Sequence, residues 1–168
     1  MKNNYLFSFF ALFMILLVGC GQSANVEEPP DIVYGQDVCD RCGMIINEEK
    51  FAAAYWTENG EARRFDDIGG MLAYHSQNHE KVVTYWVHDL AGGDWMPAED
   101  AHYLLDSDLM TPMGFGIAAF SDMEQAHAFA YGEEDVRILS FSDLMQMSIS
   151  MPGDLYDLSH AEAGHSHD

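Results

Sequence analysis

One hexapeptide, Cys39-Asp40-Arg41-Cys42-Gly43-Met44, places three sulfur atoms in a single short stretch. Four chemistries use such a stretch. A structural zinc site needs four tetrahedral ligands, and neither a second Cys-x-x-Cys nor a clear histidine pair follows to complete one. A c-type haem needs His directly after the second Cys; Gly43 stands there and excludes it. A dithiol redox pair gains reactivity at the start of a helix. Here Gly43-Met44-Ile45-Ile46 suits a turn into a strand, which leaves a redox pair or plain disulfide open. Cu(I) is the fourth. Thiolate and thioether sulfurs are soft donors that select it over hard cations. Gly43 permits a tight turn that lets Cys42 and Met44 face one ion, with Cys39 as a further donor. The last two chemistries part on Met44, which copper binding needs and dithiol redox chemistry does not.

Other donors are fewer. Met113, between Pro112 and Gly114, falls in a loop with no evident apolar face, and is a candidate third sulfur ligand or a donor on an exit path. Met96 is a weaker candidate beside Trp95. Met71, Met123, Met145 and Met147 fall on apolar faces and read as core fillers. His75 and His79 share a helix face, but their position near a polar helix end predicts a solvated or dipole-facing role. His88 and His102 read as lone structural histidines. His160, His165 and His167 crowd the polar end of the chain, and such tracts bind divalent metals, so they form a possible secondary metal site. There is no Gly-x-Ser-x-Gly, phosphate-binding loop, His-Glu-x-x-His or Gly-x-Gly-x-x-Gly, so the chain reads as a carrier, not an enzyme.

The elements that must position these residues begin after an address. Residues 1–19 hold one positive charge, an apolar run too short to span a membrane, and Leu17-Val18-Gly19 before Cys20. This resembles a bacterial lipobox. The resemblance implies cleavage before Cys20, lipid attachment there, and a membrane-anchored protein facing the periplasm or cell exterior. Residues 20–36, with Glu27-Glu28-Pro29-Pro30, then read as a polar tether. With 28 acidic residues against 7 basic ones, the net charge of −21 repels phosphate backbones and excludes nucleic-acid binding. It also repels anionic lipid, so acyl chains would have to supply the attachment.

The remainder reads as α+β, two tandem β-β-α-β units over 37–92 and 93–150, followed by a polar His-containing tail at 151–168. In the first unit, Asn59-Gly60 between aromatic-rich runs predicts a hairpin of 51–57 with Ala62–Phe65. A helix then follows from Asp66, with Ile68, Met71, Leu72 and His75 on one face despite Gly69-Gly70, and then a strand over Val82–His88. In the second, 116–120 reads as a strand, Ser121-Asp122-Met123-Glu124 opens a helix to about Tyr131, and 136–141 as another strand. A gapless slide of about 55 residues superposes the two, matching Phe65 with Phe120, Asp67 with Asp122 and Val83 with Ile138.

The motif Asp37-Val38-Cys39-Asp40-Arg41-Cys42-Gly43-Met44 after a lipobox resembles the NosL family, lipoproteins encoded with nitrous oxide reductase. So do Phe65-Asp66 ahead of the first helix, Trp95-Met96-Pro97-Ala98, and Pro112-Met113-Gly114. The resemblance implies a fold of two β-β-α-β units similar to the alkylmercury lyases. It also implies a Cu(I)-binding accessory protein that delivers copper to nitrous oxide reductase or its assembly proteins. Cys42 and Met44 would be ligands, and Cys39 a third donor or a thiol to be kept reduced. The rival reading is a membrane-tethered thiol–disulfide protein using Cys39 and Cys42.

Overall fold

Two consecutive alanines and an aromatic pair make the first strand, β1 (Ala53–Thr57), a nearly all-buried ribbon that only a central position in a sheet can accommodate. The computed structural model describes residues 25–130 and 136–150. A four-residue turn at 58–61 returns β1 into β2 (Ala62–Phe65), antiparallel with Ala53 opposite Phe65. Helix α1 (Ile68–Asn78) follows, then β3 (Val82–His88), which pairs with the other edge of β1. A short β4 (Trp95–Pro97) adds to β3, so the first sheet runs β2-β1-β3-β4. This sheet therefore extends past the unit boundary expected at 92/93, because Met96 pairs with Val87 across the Gly92-Gly93 turn.

The second sheet runs β6-β5-β7, from β5 (His102–Leu105), β6 (Ile117–Phe120) and β7 (Arg137–Ser140), with helix α2 (Met123–Phe129) between the last two. Helix α3 (Phe141–Ser150) closes the described chain and packs on α1. Both sheets surround a shared core that includes Tyr55, Phe65, Ile68, Leu72, Tyr103, Ile117 and Leu144. The architecture is α+β with two β-β-α-β arrangements, each with its first strand in the middle.

Several expectations need correction. The expected first strand loses Phe51, which ends a short 3₁₀ turn at Glu49–Phe51. The strand expected over 136–141 stops at Ser140, where Asp143 accepts from the Ser140 N–H and opens α3. The second helix ends at Phe129 and is capped by Asp122, not Ser121. The gapless slide fails at the third strand. Ala53 and His102 are equivalent through their partners Phe65 and Phe120, yet they face Val87 and Ser140, so Ile138 corresponds to Tyr85 and not Val83. Part of the expected tether is docked: Pro30 is buried, the Glu28 carbonyl accepts from Trp56 Nε1 at 2.7 Å, and the Asp31 carbonyl from Arg64 Nε at 2.6 Å. Met123 is half exposed instead of filling the core, because it begins α2 on its outer side. Met71 is fully buried, and Met145 and Met147 pack partly against the core.

Candidate metal centre

The cysteines sit on a knuckle built from residues 38–45. Val38 bridges Ile45, the Cys39 N–H donates to the Met44 carbonyl at 2.8 Å, and the Gly43 N–H returns to the Cys39 carbonyl at 2.9 Å. That tight reversal puts Gly43 at φ +72°, a conformation that a Cβ disfavours. The knuckle hangs on the free edge of β2. Asp40 N–H donates to the Arg64 carbonyl at 2.9 Å, and Arg64 N–H to Asp40 Oδ2 at 2.6 Å. An edge strand's unpaired backbone groups thus receive the loop, instead of being left to pair elsewhere.

One residue past β2, the chain delivers Asp66 beneath the knuckle. Donor atoms of Cys39, Cys42 and Asp66 all lie within 4.8 Å of one another, and Cys42 Sγ is 3.7 Å from Asp66 Oδ2. Cys39 and Asp66 are buried, Cys42 is half-buried, and both thiols are free. Burial pushes the Cys39 thiol up to about 12, although the backbone N–H groups of Cys42, Asp66 and Arg41 reach its sulfur and favour the thiolate. Left to water alone, Cys39 stays protonated near neutral pH; a cation in the site reverses that preference. Met44 is 52% exposed and lines, with Gly43, Ile45, Glu48, Asp66 and Pro112, a cleft of about 480 Å³. A buried and a half-buried sulfur with a carboxylate, and a thioether sharing a cleft with that carboxylate, can hold a soft or borderline metal ion. Two thiols this close can also be oxidised to a disulfide.

Asp67 anchors the third side. Its Oδ1 accepts the Gly69 and Gly70 N–H groups at 2.8 and 3.4 Å and caps α1. Its Oδ2 accepts the Thr111 hydroxyl at 2.6 Å and the Met113 N–H at 3.1 Å. Burial pushes this carboxyl up, and those four hydrogen bonds oppose the shift. One side chain therefore starts the helix and holds the 106–116 loop against it. The glycines make the fit possible: a Cβ on Gly69 would overlap the Phe115 ring, and one on Gly70 would sit 3.0 Å from Met113 Sδ. The helix-weakening pair at 69–70 is thus a packing requirement.

The sequence-predicted residues separate into groups. Cys39 and Cys42 converge with Asp66, and Met44 shares a cleft with Asp66. Met113 is brought to the start of α1, where its sulfur is 3.8 Å from Arg41 Nη1. Arg41 also lies 5.2 Å from the Phe115 ring centroid. Met96 is half-buried within β4. His75 is not solvated: it packs edge-on to Tyr55 and Tyr85, its ring meets the Tyr85 hydroxyl at 3.1 Å, and burial holds its pKa below the usual value. His79 ends α1 in a left-handed conformation. His88 is buried and structural, between the Tyr34 hydroxyl at 2.8 Å, the Gly93 carbonyl at 2.9 Å and the Trp95 ring. Cys20, His160, His165 and His167 lie outside the described residues. Asp66 is the residue that motif reading missed as a site member. Its signals were its place in the Phe65-Asp66 pair that shares the family resemblance and the Asp-Asp pair at a helix start, where one carboxylate is enough for the cap.

A family model, NosL, matches residues 32–149. The "Copper-binding lipoprotein NosL" of Stutzerimonas stutzeri is 28% identical over 89% of this chain and 90% of its own. Among solved structures, the "copper chaperone NosL from Shewanella denitrificans" is similar in fold. It has a TM-score of 0.60 at 19% identity, over 70% of this chain and 96% of that one. Both names describe copper-handling proteins, not enzymes.

Proposed function

The chain belongs to the NosL family, and from that premise we propose that it is a membrane-anchored Cu(I)-binding protein delivering copper for the copper centres of nitrous oxide reductase. The observation that carries the reading is the convergence of two free thiols on Asp66, which also lines an open cleft with the half-exposed Met44. Cys42 and Met44 are the proposed primary ligands, Cys39 a third donor, and Met113 a donor further along the same face. The copper-handling names of the two relatives support the cargo. The proposed anchor is lipid on Cys20, with the folded part facing the periplasm or the cell exterior. His160, His165 and His167 would add a weak secondary site on the tail.

Transfer follows from the donor types. The Cys42 thiolate supplies affinity and selectivity for a soft ion. The Met44 thioether is neutral, weaker and at the surface, so an acceptor's donor displaces it first and the thiolate last. Each thiol loses its proton on binding, so affinity falls as pH falls.

The test is an anaerobic Cu(I) titration of the reduced protein against a chromogenic chelator, with Met44→Ala alongside. One tight equivalent, weakened in the variant, supports the reading. Binding blind to Met44, or none, overturns it. That result would favour a thiol–disulfide role, for which the closeness of the two free cysteines is the supporting observation.

A further inference from the structure

The chain ahead of the knuckle is bound across the first sheet through its backbone. On β1, Ala53 and Tyr55 face the shared core, while Ala54 between them faces the other way and is still fully buried. Trp56, two residues on, and Arg64, paired with Ala54 across the hairpin, share that outer face. Both side chains donate to carbonyls of the incoming chain, Trp56 Nε1 to Glu28 at 2.7 Å and Arg64 Nε to Asp31 at 2.6 Å. Pro30, between those carbonyls, is buried. Residues 28–34 thus form a strap, and the Tyr34 hydroxyl fixes its far end against His88 at 2.8 Å.

Arg64 joins this strap to the knuckle. Its guanidinium also meets the Asp37 carboxylate at 3.7 Å, and that carboxylate closes the turn after the strap by accepting the Val33 N–H at 2.9 Å. The Asp37 carbonyl in turn accepts the Ile46 N–H at 2.9 Å, at the base of the knuckle. The Arg64 backbone meanwhile exchanges two hydrogen bonds with Asp40, which stands between the two cysteines. One residue therefore holds the strap with its side chain and the knuckle with its main chain.

We propose that the strap is the hold-and-release element of the metal site. Docked, it braces the knuckle that carries Cys39 and Cys42; undocked, it lets that knuckle open and the ion leave. Its two carbonyl bonds lie at the surface, where water replaces them, so the strap opens at lower cost than either sheet. In the lipid-anchored protein it is also the segment through which the membrane holds the fold, so a pull on the anchor reaches the knuckle through Arg64. The proposal rests on the copper reading for the identity of the ion.

The test is Trp56→Phe in the full-length reduced chain in detergent. The variant keeps an aromatic ring and removes the donor to Glu28, ten residues ahead of Val38. Residue-resolved hydrogen exchange should show the Cys39, Gly43 and Ile46 amides about fivefold faster, the share of one surface hydrogen bond. The β5 amides should be unchanged, whereas a plain loss of global stability would speed both sets. Anaerobic Cu(I) transfer to a chromogenic chelator should quicken by the same factor. Trp56→Phe combined with Arg64→Lys removes both strap donors, keeps the charge, and should enlarge both effects. Knuckle exchange or copper loss unchanged in the double variant overturns the proposal, as does β5 exchange rising as much as the knuckle's. A wild type that binds no Cu(I) overturns the copper reading instead, and the exchange result still judges the brace.

Discussion

The two β-β-α-β units begin their helices with the same device and use it for different ends. Asp67 and Asp122 each precede a helix by one residue and each accept the backbone N–H groups two and three residues on. In the first unit the residue before the cap is Asp66, buried against two thiols. In the second it is Ser121, whose hydroxyl donates to Asp89 at 2.6 Å and is thereby satisfied within the protein. The turns differ as well. Residues 58–61 simply reverse the first hairpin, while 106–116 is long enough to reach Asp67 through Thr111 and Met113. The repeat therefore duplicates a scaffold and not a site. The site arises where the inserted knuckle at 38–45, the first helix start and the second unit's long turn meet.

The sharpest way to break this comparison is to remove the sulfur that the second unit lacks. Cys42→Ala should weaken Cu(I) by at least about 1,000-fold in chelator competition while leaving the fold intact. Next come the two caps. Asp67→Ala removes a cap and two tertiary hydrogen bonds at a buried position, and should cost about 3 kcal/mol in urea unfolding. The exposed Asp122→Ala should cost about 1 kcal/mol. Equal losses would mean that the 106–116 loop is not held through Asp67. Met44→Ala should weaken Cu(I) by about tenfold, a neutral donor's share. Met113→Ala should do less, and the order of the two tests which thioether binds.

Acid should separate the units with the smallest effect. Burial lowers the pKa of His75 and His88, in α1 and β3, below the unfolded value near 6.5. The unfolded chain then binds more protons than the folded one as pH falls through that value, so stability is present above it and lost below it. Hydrogen exchange at pH 5.5 against 7.5 should show the first sheet loosening more than the second. Uniform loosening would contradict that assignment.

Much of the first unit was legible because its signals are local. Asn59-Gly60 between aromatic runs marked the hairpin, and Val82–His88 was found with its observed bounds. The second unit was harder. His102–Leu105 offers only four residues, too short a run to mark a strand by itself, although it is the centre of its sheet. The two-residue slip between Tyr85 and Ile138 arises because the chain from Phe65 to Tyr85 is two residues longer than that from Phe120 to Ile138, which a gapless comparison cannot absorb.

The donor chemistry was equally local: Cys-x-x-Cys-Gly-Met specifies soft ligands and a turn that a glycine eases. Asp66 stands 24 residues from Cys42, and Thr111 stands 44 from Asp67. No periodicity or cap rule relates residues at those separations, because what joins them is an edge strand receiving a loop and a helix start receiving another. Which carboxylate is consumed by the cap, and which is left facing the sulfurs, was decided only when those elements packed.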